Sequence, residues 1–141
     1  MNAAQQATSI EVASKIAAVV NSFKSEFPDA RADLKPWQND ADTRELVDPD
    51  SIDIGFHLPG WSRRFQCRSM LVQIRFHQDP VEGSRRAIGI EIAGFNHQGL
   101  AWRFSTVENW SIVGEYQPVP EMEEKLKRFG RQTFQLFNSS C

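Results

Sequence analysis

The sequence predicts an α+β domain with an N-terminal helix, an antiparallel four- to five-stranded β-meander and a C-terminal helix, both helices lying on one face of the sheet. Apolar residues recur at helical spacing near both ends of the chain, and they alternate with a period of two in between. The connections between the alternating segments are too short for crossover helices, so neighbouring strands should be antiparallel. The length of 141 residues suits one domain, and we expect a single domain over residues 1–141.

The N-terminal helix is expected at residues 9–27, after a frayed tail over residues 1–8. Thr8 and Glu11 have the capping-box spacing, in which a hydroxyl and a carboxylate satisfy the first free N–H groups of a helix. Pro28 stops the pattern. The apolar stripe consists of Ile10, Ala13, Ile16, Ala17, Val20, Phe23 and Phe27.

Residues 28–50 are predicted to be an irregular acidic segment with six Asp residues. A connection of this length is uncommon in a compact domain and is often functional. The pattern allows a short helical turn at residues 43–46. We expect Trp37 and Leu46 to pin the segment to the core.

The sheet is expected over residues 51–117. Alternating segments run over residues 52–58, 70–76, 88–92 and 100–106, with a weaker fifth over 110–116. Turn-forming residues such as Pro59-Gly60, Asp79-Pro80 and Gly99 separate them. This pattern is typical of an antiparallel sheet with one buried face and one wetter face.

The C-terminal helix is expected over residues 119–137. Pro120 suits the first turn of a helix, and the glutamates that follow it favour the positive end of the helix dipole. Met122, Leu126 and Phe129 form its apolar stripe. The two amphipathic helices would together cover the apolar face of the meander.

Residue parity predicts a polar row across the outer sheet face, Asp53–Gln73–Glu91–Arg103, with Glu91 directly opposite Arg103. The candidate outer-face residues are Arg75, His77, Glu91 and Arg103. One interpretation is a solvated face with cross-strand ion pairs. Another is a ligand or partner surface on which Arg75 and Arg103 bind an anion. A third, acid–base catalysis by Glu91 with His77, requires a pocket.

The segment from Pro59 to Arg68 is the most unusual stretch because it mixes aromatic rings with guanidinium groups. It could contact another protein, since Trp and Arg are over-represented in binding hot spots, or it could bind phosphates and stack on bases. The third possibility is intramolecular, with the aromatic rings folded onto the core and the Arg side chains over residues 28–50. The candidate partner-binding residues are Trp61, Arg63, Arg64, Phe65 and Arg68.

The net charge of -2 is unevenly distributed. Residues 1–60 carry ten acidic and five basic side chains, whereas residues 61–141 carry eight acidic and eleven basic ones. A general nucleic-acid binder would show a larger basic excess, so nucleic acid is an unfavoured partner. The charge pattern indicates one local basic patch on a mildly acidic protein.

The cysteines Cys67 and Cys141 have neither metal-binding spacing nor a convincing disulfide arrangement, and the reduced cytoplasm is the expected location. Cys67 lies close to Arg64 and Arg68 in sequence, so its pKa could be lowered, but a half-buried structural thiol is the simpler interpretation. We expect no signal peptide and no membrane span.

His57 and His77, with Asp53, formally allow a two-histidine, one-carboxylate metal site, although the spacing is not diagnostic. The sequence contains no phosphate-binding glycine loop and no nucleophile elbow. No catalytic residue, metal or cofactor is therefore assigned.

These observations favour a non-catalytic protein-binding accessory, assembly or regulatory factor that acts through the 61–68 loop and the outer sheet face. The alternative is a small-ligand binder or enzyme with a pocket between helices and sheet. A weak single-stranded nucleic-acid binder is a further alternative. The sequence also allows a homodimer through an exposed edge strand, which would be the strand that begins near Ile52 or the one that ends near Tyr116.

Overall fold

A computed structural model of the chain describes residues 1–37, 48, 50–83 and 85–138. The helices are α1 (Ala3–Gln6), α2 (Ile10–Glu26) and α3 (Pro120–Asn138). The strands are β1 (Arg31–Asp33), β2 (Ser51–Ser62), β3 (Cys67–Gln78), β4 (Arg85–Asn96), β5 (Gly99–Ser105) and β6 (Ser111–Gly114). They form one antiparallel sheet in the order β1-β2-β3-β4-β5-β6. The predicted fold class is confirmed, with six strands among the described residues in place of four or five.

The two long helices cover the apolar face of the sheet. Phe23 of α2 stacks on Phe56 of β2 with ring centroids 3.8 Å apart, and it meets Phe129 of α3 edge-on at 5.1 Å. All three side chains are fully buried. These aromatic contacts hold both helices against the same sheet face, where the largest apolar surfaces leave water.

Helix α2 begins one residue later than the capping-box pattern predicted. Ser9 is the N-cap, and its hydroxyl accepts a hydrogen bond from the N–H of Val12 at 3.2 Å. Thr8 therefore does not cap the helix. The capping-box pattern selected Thr8 because Glu11 follows it by three residues, whereas Ser9 caps the helix with its hydroxyl alone and has Val12 at that position.

The prediction of a frayed tail over residues 1–8 is wrong. Asn2 forms a parallel bridge with Asp53 of β2, and the backbone N–H of Asp53 donates to the carbonyl of Met1 at 2.8 Å. Ala3 begins α1 and is fully buried. The tail is ordered by contacts with a strand about 50 residues away, which no local pattern records.

The prediction that residues 28–50 are wholly irregular is also wrong, because β1 lies within them and pairs with Gly55–His57. A strand of three residues is too short to show alternation. Trp37 does anchor its part of the segment to the sheet, through a hydrogen bond from its indole N–H to the carboxylate of Asp53 in β2. The helical turn expected at residues 43–46, the anchoring role of Leu46 and Cys141 lie outside the described residues.

The predicted register holds across three strands and then shifts. Asp53 pairs with Gln73, and Gln73 with Glu91, as parity predicts. Glu91 is opposite Ser105, however, and Arg103 is opposite Ala93, so the expected Glu91–Arg103 pair is wrong by two residues. The turn between β4 and β5 is tighter than expected, and a bulge follows Gly94.

The expected edge near Ile52 is wrong, because β3 lies on one side of this part of β2, and the Asn2 bridge at Asp53 and β1 at Gly55–His57 lie on the other. Strand β6 does lie at an edge, close to Tyr116. In the described part of the chain, no helix combines the length and the apolar content required to cross a membrane.

The β2–β3 hairpin ends in a curl that brings its tip back over the core. Its pairing is interrupted between His57 and Ser62. The indole N–H of Trp102 in β5 donates to the carbonyl of Phe65 at 2.7 Å. The N–H of Val119 donates to the carbonyl of Arg64 at 3.0 Å. The hairpin tip is thereby fixed against the start of α3.

Candidate functional site

The curled hairpin tip encloses a cleft with the end of α2 and the start of α3. Its volume is about 250 Å³. Residues 26–29 form one wall, and Met122 and Lys125 of α3 form another. The hairpin contributes residues 58–62, Arg64 and Phe65. Three parts of the chain that are distant in sequence therefore meet at one concave surface.

The floor of the cleft is apolar and tightly packed. Phe27 and Phe65 meet edge-on with ring centroids 4.9 Å apart, and Met122 is buried beside them. The ammonium group of Lys125 lies 5.9 Å from the centroid of the Phe27 ring. Rings held on several sides lose little further freedom when a ligand covers them, so the floor is preorganised for binding.

The rim combines an exposed aromatic ring with a weakly held guanidinium. The side chain of Trp61 is 50% exposed. Arg64 reaches Glu121 of α3 at 3.2 Å, but both partners are largely in solvent. An exposed pair of this kind contributes little to stability, so the guanidinium is free to exchange Glu121 for another acceptor.

The charges around the cleft balance. Glu26 accepts a hydrogen bond from Arg128 at 3.0 Å, and the Lys125 ammonium donates to the backbone carbonyl of Glu26 at 3.2 Å. The lining carries the acids Glu26 and Asp29 and the bases Arg64 and Lys125. The cleft therefore has no formal net charge, and it would not attract a polyanion over long distances.

The structure divides the five candidate partner-binding residues. Trp61, Arg64 and Phe65 line the cleft. Arg63 points into solvent at the hairpin tip, and Arg68 borders a separate hollow with His57 and His97. Phe65 packs on the core, as the intramolecular interpretation expected, whereas Arg64 pairs with α3 and not with the described residues of the 28–50 segment.

The outer sheet face carries a chain of ion pairs that engages both of its candidate arginines. Arg75 donates to Glu91 at 2.9 Å and to Asp48 at 2.8 Å. Burial lowers the pKa of Arg75, but the two carboxylates more than offset this and raise it overall. Arg103 contacts Glu108 at 3.1 Å and Glu91 at 3.8 Å. Both guanidinium groups already have carboxylate acceptors, so neither can bind an added anion without breaking an existing ion pair.

His77 lies far from Glu91 on the same face. Gln73 is the residue opposite Glu91, and His77 follows it by four residues, or about 13 Å along the strand. The two side chains are therefore too far apart to act together in proton transfer. Neither of them lines the cleft.

The formal metal site is not assembled. His57 is paired with Ser69 of β3, eight residues from His77, which is about 26 Å along an extended strand. His57 contacts Asp33 at 3.4 Å. Asp53 instead binds the Met1 amine at 2.9 Å. Within the described residues, no three His, Cys, Asp or Glu side chains converge on a possible metal position.

Cys67 is not a reactive thiol. It is fully buried, not half-buried as expected from its position in the sequence. Burial raises the pKa of the thiol to about 12, and the hydrogen bond with the Trp102 side chain opposes this shift only in part. The neighbouring arginines do not lower the pKa, because Arg64 and Arg68 both lie in solvent.

Comparison with known proteins identifies a family for this chain, but the description of that family gives no function. Residues 4–139 match a family model that is described as a domain of unknown function. The chain belongs to that family. No curated protein and no solved structure matches it significantly.

Sequence reasoning did not find the parts of the cleft that α2 and α3 contribute. Phe27 and Met122 are expected from the sequence only as residues of the apolar helix stripes, yet both line the cleft together with Lys125. No local signal places them beside Trp61, because their proximity depends on the curl of the β2–β3 hairpin. The interrupted pairing that causes the curl could be suspected only from Pro59-Gly60.

Proposed function

We propose that the protein is a non-catalytic accessory, assembly or regulatory factor that binds another protein through the cleft. The observation that carries the proposal is the half-exposed Trp61 ring at the rim of a cleft with an apolar floor, with Arg64 beside it. Tryptophan and arginine are the residue types most enriched in binding hot spots. An aromatic ring that remains exposed in a folded domain is available to a partner at little conformational cost.

The contact surface of this proposal is narrower than the one expected from the sequence. Arg75 and Arg103 on the outer sheet face are already bonded to carboxylates, and a partner would have to break those pairs. At the cleft, a partner would exchange the Arg64–Glu121 pair, both of whose side chains are exposed. We therefore assign the principal contact to Trp61, Arg64 and Phe65.

The test is an affinity pull-down from native extract with three forms of the protein. The wild type is compared with a Trp61→Ala/Arg64→Ala variant. The matched control is Tyr116→Ala/Arg86→Ala, which also removes one exposed aromatic ring and one exposed guanidinium, at positions that do not line the cleft. Loss of the two hot-spot groups should weaken binding at least about 30-fold, the equivalent of about 2 kcal/mol.

A partner that binds the wild type and the control, and is lost from the cleft variant, supports the proposal. The same difference must then appear with the purified partner in isothermal titration. A partner that binds all three forms equally contradicts the assignment of the surface. Absence of any specific partner in all three shifts the weight to the small-ligand alternative.

The small-ligand alternative is favoured by the position of the cleft between the helix ends and the sheet. Its volume of about 250 Å³ is below the range of about 300–1,000 Å³ that is usual for ligand pockets. A thermal-shift screen of metabolites would test it. Nucleic-acid binding is the weaker alternative, because the lining is neutral, and anisotropy of a labelled single-stranded oligonucleotide at low salt would detect it.

A homodimer through β6 stays a prediction. The strand lies at the sheet edge, and Val113 is 52% exposed on it. Strand β6 carries no charged residue and no proline that would discourage pairing. Sedimentation velocity of the wild type and of a Val113→Lys variant would show a concentration-dependent dimer only in the former.

A further inference from the structure

We infer that the occupant of the cleft is an extended peptide segment of the partner, which pairs with the free edge of β2 as an additional strand. This inference rests on the proposed protein-binding function and specifies how the partner is recognised. It follows from where β1 ends, which residues line the cleft and how much space lies beside them.

Strand β2 is longer than its neighbour on the outer edge. β1 pairs with Gly55, Phe56 and His57 and extends no further. β2 continues in extended conformation to Ser62. On the β3 side, pairing resumes only at Ser62 with Cys67. Among the described residues, positions 58–61 thus have no strand partner on either side.

This unpaired stretch faces the cleft. Leu58, Pro59, Gly60, Trp61 and Ser62 all line it. Pro59 has no N–H to donate, but Leu58, Gly60 and Trp61 each have one, and all four residues carry a carbonyl group. Unpaired groups of this kind at a strand edge are a template for another strand. A free edge beside an apolar floor provides both parts of strand addition, since the main chain supplies affinity and the pockets for alternate side chains supply specificity.

Gly60 leaves space in the cleft beside this edge. A Cβ atom built at Gly60 would meet no other atom within 4 Å, and its φ does not lie in the left-handed region. Because the side chains of a strand project from its face and not along its hydrogen-bonding edge, this open space belongs to the cleft that Gly60 lines. A larger residue at position 60 should be accepted by the folded protein while it takes up space that the occupant of the cleft needs.

The pocket chemistry defines the side chains of the occupant. In a strand, side chains at every second position point to the same face. One apolar side chain of the peptide would enter between Phe27, Phe65 and Trp61. A carboxylate near it could replace Glu121 on Arg64. Because the lining has no formal net charge, binding should depend only weakly on ionic strength.

The test begins with a phage-displayed library of random peptides, selected on the wild-type protein and counter-selected on the Trp61→Ala/Arg64→Ala variant. Enriched peptides are synthesised and scanned with single backbone N-methyl groups, each of which removes one N–H donor. A peptide that adds to the β2 edge should lose about tenfold in affinity at alternate positions and little at those between.

A Gly60→Val variant supplies the second measurement, because its side chain takes up space in the cleft that Gly60 lines and leaves Trp61 and Arg64 unchanged. Its urea denaturation midpoint should equal that of the wild type, and its affinity for the selected peptides should fall at least about tenfold. Valine also favours extended conformation, so a general loss of structure is not expected.

Three results would overturn the inference. They are N-methyl effects without alternation, unchanged affinity in Gly60→Val, and failure of the library to yield any cleft-dependent peptide. If the pull-down partner still depends on Trp61 and Arg64 in these cases, the proposed function survives and the partner binds in another way, such as by a helix in the cleft or as a second copy of this chain. If the pull-down also shows no partner that depends on Trp61 and Arg64, both the inference and the proposed function are wrong.

Discussion

Replacing Gly94 by alanine should destabilise the protein because the indole ring of Trp102 occupies the place of the missing side chain. Gly94 in β4 and Trp102 in β5 are opposite each other in the sheet. A Cβ atom at position 94 would lie 2.5 Å from Nε1 and 2.6 Å from Cζ2 of the indole, and closer still to Cε2. Real Cβ atoms essentially never approach other atoms so closely, so something must move.

The ring cannot move freely. Trp102 is fully buried, and its indole N–H is bonded to the carbonyl of Phe65 at 2.7 Å. Overpacking of a core costs about 1–3 kcal/mol. The lower chain entropy of alanine in the unfolded state offsets about 0.4–1 kcal/mol of this. Three contacts of 2.6 Å or less with a ring that cannot move freely place the cost at the upper end of the overpacking range, so we expect Gly94→Ala to lower the free energy of unfolding by about 2 kcal/mol.

Urea denaturation followed by tryptophan fluorescence and by circular dichroism measures this change. With a slope near 2 kcal/mol per molar, the midpoint should fall by about 1 M. Gly60→Ala is the matched control, because its Cβ has open space and its φ is not left-handed. The control should stay within about 0.5 kcal/mol of the wild type.

A double-mutant cycle with Trp102→Leu tests the cause. Leucine has no ring atoms at the positions that the new methyl group would meet, so the double variant should be at least about 1 kcal/mol more stable than the sum of the single changes predicts. Strict additivity, or a Gly94→Ala variant as stable as the control, would refute the argument that the indole ring is the obstacle.

Three further predictions concern buried or strained side chains. In a Cys141→Ser background, Cys67 should not react with a disulfide reagent at pH 8 until urea unfolds the chain. Burial raises the pKa of this thiol from 9.0 to about 12. The contribution of Cys67 to stability should therefore be complete below pH 9 and be lost as the pH rises towards 12. Asp53→Asn should lower the free energy of unfolding by about 1–3 kcal/mol, since Asp53 is fully buried and binds the Met1 amine, Ser51 and Trp37. Trp110→Gly should be about 1 kcal/mol more stable than Trp110→Ala, because Trp110 has a φ of 56°.

Each of these has a control or a contrary result. Rapid labelling of folded Cys67 would contradict the thiol prediction. For Asp53→Asn the control is Asp50→Asn, because the side chain of Asp50 is exposed. If both changes lower the free energy of unfolding equally, the buried Asp53 carboxylate contributes no more to stability than an exposed one. If Trp110→Ala proves as stable as Trp110→Gly, the left-handed backbone at that position carries no measurable strain.

Part of the cleft was predictable from composition alone. The mixture of aromatic and guanidinium groups between Pro59 and Arg68 indicated Trp61, Arg64 and Phe65, and the structure brings these three together. Arg63 and Arg68 have the same composition around them but point elsewhere. The direction of each side chain depends on the interrupted pairing after His57, which composition does not record.

The amino-acid sequence by itself determined the layers of this protein. Periods of 3.6 and 2 marked α2, α3 and the central strands, because amphipathic segments must bury one side whatever they pack against. Only the tertiary structure decided the rest, including the ordered N-terminus at Asp53, the short strand β1, the register of β5 and the cleft. These features arise from contacts between residues far apart in sequence, where the fit of particular side chains outweighs any local preference.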